Sequence, residues 1–291
     1  MAYPFHPLLE GAYDFHVHSA PSIFERKQND WEVTADAIQA NMGGLVLKSH
    51  ESSTAERAYL IQEKEPSLHV VGGIVLNSYV GGLNPYAVEA TLKMGGKVVW
   101  FPTLSSIQHQ HYFAGKKTKL YSGESQPSNE TVNIKENGKI KDDVHQILSL
   151  IKEYDAVLAT GHLSLQDTYL LVEAAISIGI EKIIIQHADM GIAKIPLKDQ
   201  EYFASKGCMI EKCFLACSPD FKDLTVAEMV RTIHQLGAKS CILGTDYGQP
   251  HNEPPVHAFN RFVEQLEANG VSEKDMICMI KENPTHLLNV R

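Results

Sequence analysis

The sequence predicts a (β/α)8 barrel, in which eight parallel strands alternate with eight helices. Apolar runs of strand length recur along all 291 residues, and they are continuously apolar rather than alternating. Such runs are expected of parallel strands that helices cover on the outside. A helical pattern follows each run, and glycine-containing stops end many of these helices. A doubly wound open sheet is the alternative, but eight strand–helix units favour closure into a barrel.

The elements follow one another in regular order along a chain that we interpret as a single domain, residues 1–291. The predicted strands are Ala12–Val17, Leu45–Lys48, Val70–Leu76, Val98–Phe101, Ala156–Thr160, Lys182–Gln186, Cys208–Cys213 and Ser240–Gly244. The predicted helices are Val33–Asn41, Thr54–Glu65, Pro85–Met94, Asp143–Glu153, Leu165–Ile178, Leu197–Ser205, Thr225–Leu236 and Val256–Ala268. Two extra C-terminal helices are expected at Ser272–Lys281 and Asn283–Val290.

One connection is unusually long. Residues 103–141, after the fourth strand, form a polar insertion rich in Gly, Ser and Lys. Within it, residues 132–140 predict a small hairpin that turns at Asn137-Gly138. Long insertions on the catalytic side of a barrel usually shape or cover the site.

Composition excludes several classes of protein. The net charge is −9 and no Lys/Arg run exists to neutralise phosphates, which argues against nucleic acid. Five scattered cysteines and the absence of a signal-peptide pattern predict a reduced, cytoplasmic protein. No apolar stretch approaches the ~20 residues of a membrane span. The expected partner is a small-molecule substrate, and the sequence is also compatible with a homo-oligomer.

The most informative motif is His16-Val17-His18, at the end of the first strand. In an extended strand, residues two apart point to the same side, so both imidazoles can reach one divalent ion. With 14 histidines in the chain, such a pair alone proves little.

The other strand ends make the difference, because active sites of such barrels lie where the strands end. His162 follows the fifth strand, His187 the sixth and Asp246 the eighth. Four histidines and one aspartate therefore share one rim, which predicts a metal site.

This order of ligands resembles the amidohydrolase superfamily of metal-dependent barrels, and the likeness covers nearly the whole chain. The segments that carry it are Phe15-His16-Val17-His18, Thr160-Gly161-His162, Gln186-His187 and Gly244-Thr245-Asp246. Asn283-Pro284-Thr285-His286-Leu287-Leu288 is similar to the Asn-Pro-Ala-x-x-Leu segment of many members. Leu47-Lys48-Ser49-His50, Gly72-Gly73-Ile74-Val75-Leu76-Asn77 and Val99-Trp100-Phe101-Pro102-Thr103 resemble a small bacterial branch of unassigned function.

The resemblance implies roles for these positions. His16 and His18 would hold the first ion with Asp246, while His162 and His187 would complete that site or hold a second ion. Zinc is the expected ion, with manganese, iron or cobalt as alternatives. Asp246 would accept a proton from the metal-bound water and pass it to the leaving group.

The activity implied is attack of metal-bound hydroxide on an amide, lactone or ester bond of a small anionic molecule. One alternative is a mononuclear lyase, such as a decarboxylase, that uses the same ligands. The other is a barrel that binds metal and ligand without turnover.

The sequence departs from the family at the bridging group. Binuclear members usually bridge their ions with a carboxylated Lys or a Glu from the fourth strand, which here ends in Trp100-Phe101-Pro102. Lys48, at the end of the second strand, is the comparable residue. It could be a carboxylated bridge, a free amine that binds substrate or acts in acid–base catalysis, or a structural ion pair.

Several further residues are candidates near the site. His50 could be a metal ligand or a substrate contact. The side-chain amide of Asn77 could bind substrate, and Arg26 could bind a carboxylate or phosphate group of the substrate. Asp189 could orient His187. His109 and His111, in the long insertion, could reach the site, although the alternating His-Gln-His-Tyr segment favours ordinary loop residues.

Overall fold

The computed structural model, which describes residues 5–116 and 130–290, contains a barrel of parallel strands. Eight successive strand positions pair in chain order, as predicted. The barrel strands are β1 (Tyr13–Val17), β2 (Gly44–Leu47), β3 (His69–Val71), β4 (Gly73–Val75), β5 (Val98–Trp100), β8 (Val157–Ala159), β9 (Ile183–Ile185), β10 (Met209–Cys213) and β11 (Cys241–Gly244).

The third barrel position differs from the single strand that we expected, because it consists of two short strands. β3 pairs with β2 and β4 pairs with β5, so the two sheets meet at Gly72. A Cβ on Gly72 would lie 2.3 Å from the Thr54 carbonyl oxygen. Only glycine allows this close approach between the barrel wall and the start of the preceding helix, Ala55–Lys64.

The barrel closes between its last and first strands. The Asp246 amide donates to the His16 carbonyl (2.8 Å), and the His18 amide donates to the Tyr247 carbonyl (2.9 Å). These bonds tie the two ends of the sheet together at the rim where the predicted ligands lie.

Helices cover the outside of the barrel. They are α1 (Asp30–Gln39), α2 (Ala55–Lys64), α3 (Pro85–Lys93), α4 (Ile107–Phe113), α5 (Asp142–Glu153), α6 (Leu165–Ser177), α7 (Leu197–Ser205), α8 (Val226–Leu236), α9 (Pro255–Ala268), α10 (Glu273–Ile277) and α11 (Asn283–Leu288). A π-helical turn, Cys278–Glu282, joins the last two. Within the described ranges, every helix is too short or too polar to serve as a bilayer span.

The insertion contains more structure than its composition suggested. The hairpin is confirmed as β6 (Lys135–Glu136) and β7 (Lys139–Ile140), with positive φ at Asn137 and Gly138 as the tight turn requires. Helix α4 was not predicted, because its sequence is polar and rich in histidine. Residues 117–129 of the insertion lie outside the described part of the chain.

Apolar side chains fill the barrel interior below the rim, among them Phe15, Val46, Trp100, Ile184 and Ile242. Leu287 and Leu288 of α11 pack against this interior cluster. The last of the C-terminal helices, α11, therefore belongs to the barrel core.

Asn283 connects these helices to the barrel. Its buried side-chain amide donates to the carbonyls of Ala238 (2.9 Å) and Cys241 (2.7 Å). Asn283→Ala leaves both carbonyls without this donor, and we expect a loss of about 1–3 kcal/mol in the free energy of unfolding. Urea unfolding measures the change, with the exposed Asn269→Ala as control. Equal transition midpoints for Asn283→Ala and wild type would contradict this role.

Candidate metal centre

His16, His18 and Asp246 meet at one point at the carboxyl end of the barrel. Nε2 of His16 and Nε2 of His18 each lie 3.0 Å from Asp246 Oδ1. His18 Nδ1 lies 2.9 Å from the Lys48 carbonyl, so it carries the proton and leaves the Nε2 lone pair directed at the cluster. All three side chains are buried.

A β-bulge in the first strand orients the two histidines. Asp14 pairs with Leu45 and Val17 with Leu47, so β1 contains one residue more than β2 between these pairs. The extra residue shifts the alternation of side chains. Phe15 therefore packs into the barrel interior while His16 also faces the site.

Glu211 is a site residue that the sequence analysis missed. It lies in β10, and its carboxylate accepts from His16 Nδ1 (2.8 Å) and from the His187 amide (2.9 Å). The signal was present in the sequence, because a charged residue inside an otherwise apolar barrel strand must face either the interior or a helix. Glu211 lies in the middle of its strand, whereas the predicted ligands lie at the strand ends.

The neighbouring Lys212 faces the opposite way. Its amine binds Asp189 (2.9 Å) and Gln200 (3.0 Å) between the barrel and its helices. The expectation that Asp189 orients His187 is therefore wrong, since its carboxylate is engaged on the outer side of the wall. Glu211 holds His187 instead.

His187 and Asp246 share an unusual backbone conformation. Both have positive φ, 52° and 58°, which few residues other than glycine adopt. Each is held by a hydrogen bond from its own amide, to Glu211 in one case and to the His16 carbonyl in the other. Strained backbone that its surroundings stabilise is typical of functional sites.

His162 completes the ring of imidazoles. Its ring centroid lies 4.9 Å from that of His187. Its Nδ1 contacts Nδ1 of His109 at 2.8 Å, so the expectation that His109 is an ordinary loop residue is wrong. Nε2 of His162 is buried and has no hydrogen-bond partner among the described residues.

This arrangement fits a divalent ion. Donor atoms of His16, His18 and Asp246 lie within 4.8 Å of one another, and so do those of His16, His187 and Glu211. A buried imidazole nitrogen without a partner, as in His162, is costly unless a ligand satisfies it. Nitrogen and carboxylate donors together suit zinc and other first-row divalent metals.

Electrostatics favours the metal-binding forms of His18, His162 and Asp246, whereas at His16 the effect of burial is outweighed by Asp246 and Glu211, which raise its pKa. Burial, together with the nearby Arg26, lowers the pKa of His18 to about 3. Burial opposes the charged carboxylate of Asp246, but His16 outweighs it and holds the pKa well below the usual value. Burial also lowers the pKa of His162 far below its ordinary value. Neutral imidazoles and an ionised carboxylate are the forms that bind metal.

Lys48 lies inside this cluster. Its Nζ is 3.1 Å from His16 Nε2, and burial lowers its pKa to about 8 although Asp246 and Glu211 favour the charged form. An ammonium group so close to a ligand atom would repel a divalent ion. Metal binding therefore requires Lys48 to be neutral or carboxylated.

Three other predicted residues lie at the rim. His50 stacks on His18 with ring centroids 4.7 Å apart, and its Nδ1 contacts the Thr103 hydroxyl at 3.0 Å. Arg26 and His50 line a cavity of about 30 Å³ above the cluster. Asn77 does not line it.

The Asn77 amide makes four hydrogen bonds within the chain. It donates to the His50 carbonyl (2.9 Å) and the Thr103 hydroxyl (2.8 Å), and accepts from the amides of Thr103 (2.9 Å) and Ser105 (3.1 Å). These bonds use its whole capacity, so its geometry is that of a clamp between rim loops.

The position of Lys48 leads to a pH-dependent prediction. Below pH 8, binding of Zn²⁺ must release the Lys48 proton, whereas above pH 8 the amine has already lost it. Below pH 8, the ratio of the Zn²⁺ affinity of wild type to that of Lys48→Met should therefore rise by up to ~10-fold per pH unit. Above pH 8, this ratio should stay constant. Chelator competition between pH 6.5 and 9.5 measures this, with Lys93→Met as the surface control. Parallel pH profiles of wild type and Lys48→Met would refute the argument.

Glu211 provides a second prediction. In Glu211→Gln, an NH2 group replaces one of the two carboxylate oxygens, each of which accepts from a different donor, so His16 or His187 loses its support. We expect Zn²⁺ affinity to fall about 10- to 100-fold in chelator competition. The exposed Glu201→Gln serves as control and should bind like wild type. An unchanged affinity in Glu211→Gln would mean that the carboxylate does not support the ligands.

Comparison with known proteins places this site in a familiar architecture. A putative 2-pyrone-4,6-dicarboxylic acid hydrolase from Pseudomonas putida superposes with a TM-score of 0.62 at 14% identity, covering 96% of this chain and 98% of that one. An amidohydrolase from Pseudomonas aeruginosa has a TM-score of 0.63 at 11% identity, covering 97% of both chains. A 2,6-dihydroxybenzoate decarboxylase from Rhizobium has a TM-score of 0.58 at 11% identity, covering 97% and 99%.

The predicted barrel fold and its resemblance to the amidohydrolase superfamily are thus confirmed at the level of structure. No curated protein matches the sequence. Residues 11–211 match the model of a family of unknown function, DUF6282, as expected for a branch of unassigned function. The chain, with its buried cluster of histidines and carboxylates at the barrel rim, therefore belongs to the DUF6282 family.

Proposed function

We propose that this protein is a metal-dependent hydrolase that cleaves an amide, lactone or ester bond of a small anionic molecule. The observation that carries the proposal is the meeting of His16 and His18 on one oxygen of Asp246, at the catalytic end of a barrel. Buried donor sets of this composition are typical of catalytic metal sites.

The roles of the ligands follow from their placement. His16, His18 and Asp246 would hold the first ion, while His162 and His187 would complete that site or hold a second one. Zinc is the ion that we propose. When bound, it supplies acidity to a coordinated water and polarisation to a carbonyl oxygen.

Asp246 is the proposed proton carrier. Its Oδ1 contacts both histidines of the first strand, whereas Oδ2 lies 3.7 Å from His187 Nε2 and makes the looser contact. Oδ2 is therefore the atom that we assign to take a proton from the attacking water and return it to the leaving group. The lowered pKa keeps this carboxylate in the ionised form that a proton acceptor needs at the start of the reaction.

The cavity above the cluster suggests the substrate. Arg26 supplies a guanidinium suited to a carboxylate, and His50 lies beside it as a neutral imidazole. Ile192, Leu215 and Phe221 form an apolar wall. This lining favours a molecule that carries an anionic group.

A decarboxylase that uses the same ligands is the second candidate. The barrel strand β5 brings neither a lysine nor an acid to the rim, which favours a single ion over a bridged pair. A free Lys48 amine beside one ion would suit proton transfer to a carbanion.

Hydrolysis of a panel of small lactones and esters by the zinc-loaded protein tests the proposal. We expect turnover of substrates that carry a carboxylate. Asp246→Asn should lower kcat by about 10²–10⁴. Arg26→Met should raise KM about 10- to 100-fold for anionic substrates and leave neutral esters unchanged.

The exposed Arg231→Met is the matched control and should behave like wild type. Release of CO₂ from small aromatic carboxylates, without ester or lactone hydrolysis, would replace the hydrolase with the lyase. If zinc binds but neither reaction occurs, the protein is a metal-binding barrel without turnover.

A further inference from the structure

The insertion after β5 contributes a side chain to the barrel site. We propose that His109 of helix α4 is a positioning residue that sets the tautomer and orientation of His162, so that His162 Nε2 faces a divalent ion. This inference rests on the metal centre of the proposed function. It adds a role for the insertion, which that function leaves unexplained.

The two imidazoles are in direct contact. Their Nδ1 atoms are 2.8 Å apart, and their rings stack with centroids 5.0 Å apart at an interplanar angle of 19°. Both residues are almost fully buried, with exposed fractions of 3% and 4%. Such a short contact between two ring nitrogens requires a shared proton, because two lone pairs at this distance would repel.

The proton can lie on either ring, and the two arrangements differ in their consequence. If His162 Nδ1 donates to His109 Nδ1, the second nitrogen of His162 is a lone pair that can bind a cation. In the reverse arrangement, a neutral His162 carries its proton on Nε2, which then cannot bind metal. His162 Nε2 is buried and lacks a hydrogen-bond partner among the described residues, so the first arrangement matches an ion in the site.

The backbone holds His109 in place for this task. Ser106 begins helix α4, and its Oγ accepts the His109 amide (2.9 Å) while donating to the His162 carbonyl (2.7 Å). The His162 amide in turn donates to the Pro102 carbonyl (2.9 Å). The Ser106 hydroxyl thus links the main chains of the two histidines, and their rings are in direct contact.

A second hydrogen bond joins α4 to the loop that follows β9. The Gln108 side-chain amide donates to the Ile192 carbonyl at 3.0 Å, in the loop that follows His187. Helix α4 is therefore fixed to the segments that bear both His162 and His187. A helix attached only for packing would not need its one buried imidazole aligned with a ligand ring.

The test compares Zn²⁺ binding by wild type, His109→Leu, His109→Asn and His111→Leu. Leu fills the space without an acceptor, whereas the Asn side-chain oxygen lies close to the position of Nδ1 and can accept from His162. His111 is on the same helix but exposed, so its variant is the matched control. Metal content by elemental analysis and affinity by chelator competition are measured alongside the melting temperature.

We expect His109→Leu to weaken binding of one Zn²⁺ by about 10- to 100-fold, with His109→Asn within a few-fold of wild type and His111→Leu unchanged. Wild-type affinity in His109→Leu would overturn the inference and leave the metal centre standing. Equal losses in His109→Leu and His109→Asn would assign His109 to packing alone. A wild-type protein that binds no Zn²⁺ would overturn the metal centre and this inference together.

Discussion

The contact of His16 with two buried carboxylates is the interaction on which the site depends. Asp246 lies at one nitrogen of the ring and Glu211 at the other, 3.0 and 2.8 Å away. Burying a carboxylate is costly unless donors or cations compensate it. Each carboxylate finds donors on other strands, so β1, β9, β10 and β11 are tied together through their charged groups. The barrel rim is rigid where chemistry needs fixed donors.

This electrostatic arrangement also explains the backbone irregularities around it. The bulge in β1 allows His16 to face the site although Phe15 packs into the interior. Positive φ at His187 and Asp246 turns each chain sharply after its strand. Such distortions cost free energy locally, and the hydrogen bonds to Glu211 and the His16 carbonyl offset that cost. The site is thus supported by its surroundings rather than by ideal strand geometry.

The insertion and Lys48 bring two further groups to the cluster. Helix α4 ties His109 to His162 from outside the barrel, while Lys48 places an amine among the ligands from β2. Neither group comes from the strands that bear the aspartate and histidine ligands. Because Lys48 must lose its charge before a cation binds, metal affinity and the protonation of one amine are coupled.

The sequence by itself determined the repeat, the barrel and the rim positions of His16, His18, His162, His187 and Asp246, because apolar runs and strand ends are local features. It did not reveal Glu211, since its direction depends on the alternation within β10. It also did not reveal that Asp189 binds Lys212 rather than His187, or that His109 contacts His162. Those assignments depend on contacts between side chains that are 23 to 195 residues apart in the sequence. Only the tertiary structure decides these contacts, because hydrogen bonds between buried polar groups form only when distant backbone segments are already fixed in space.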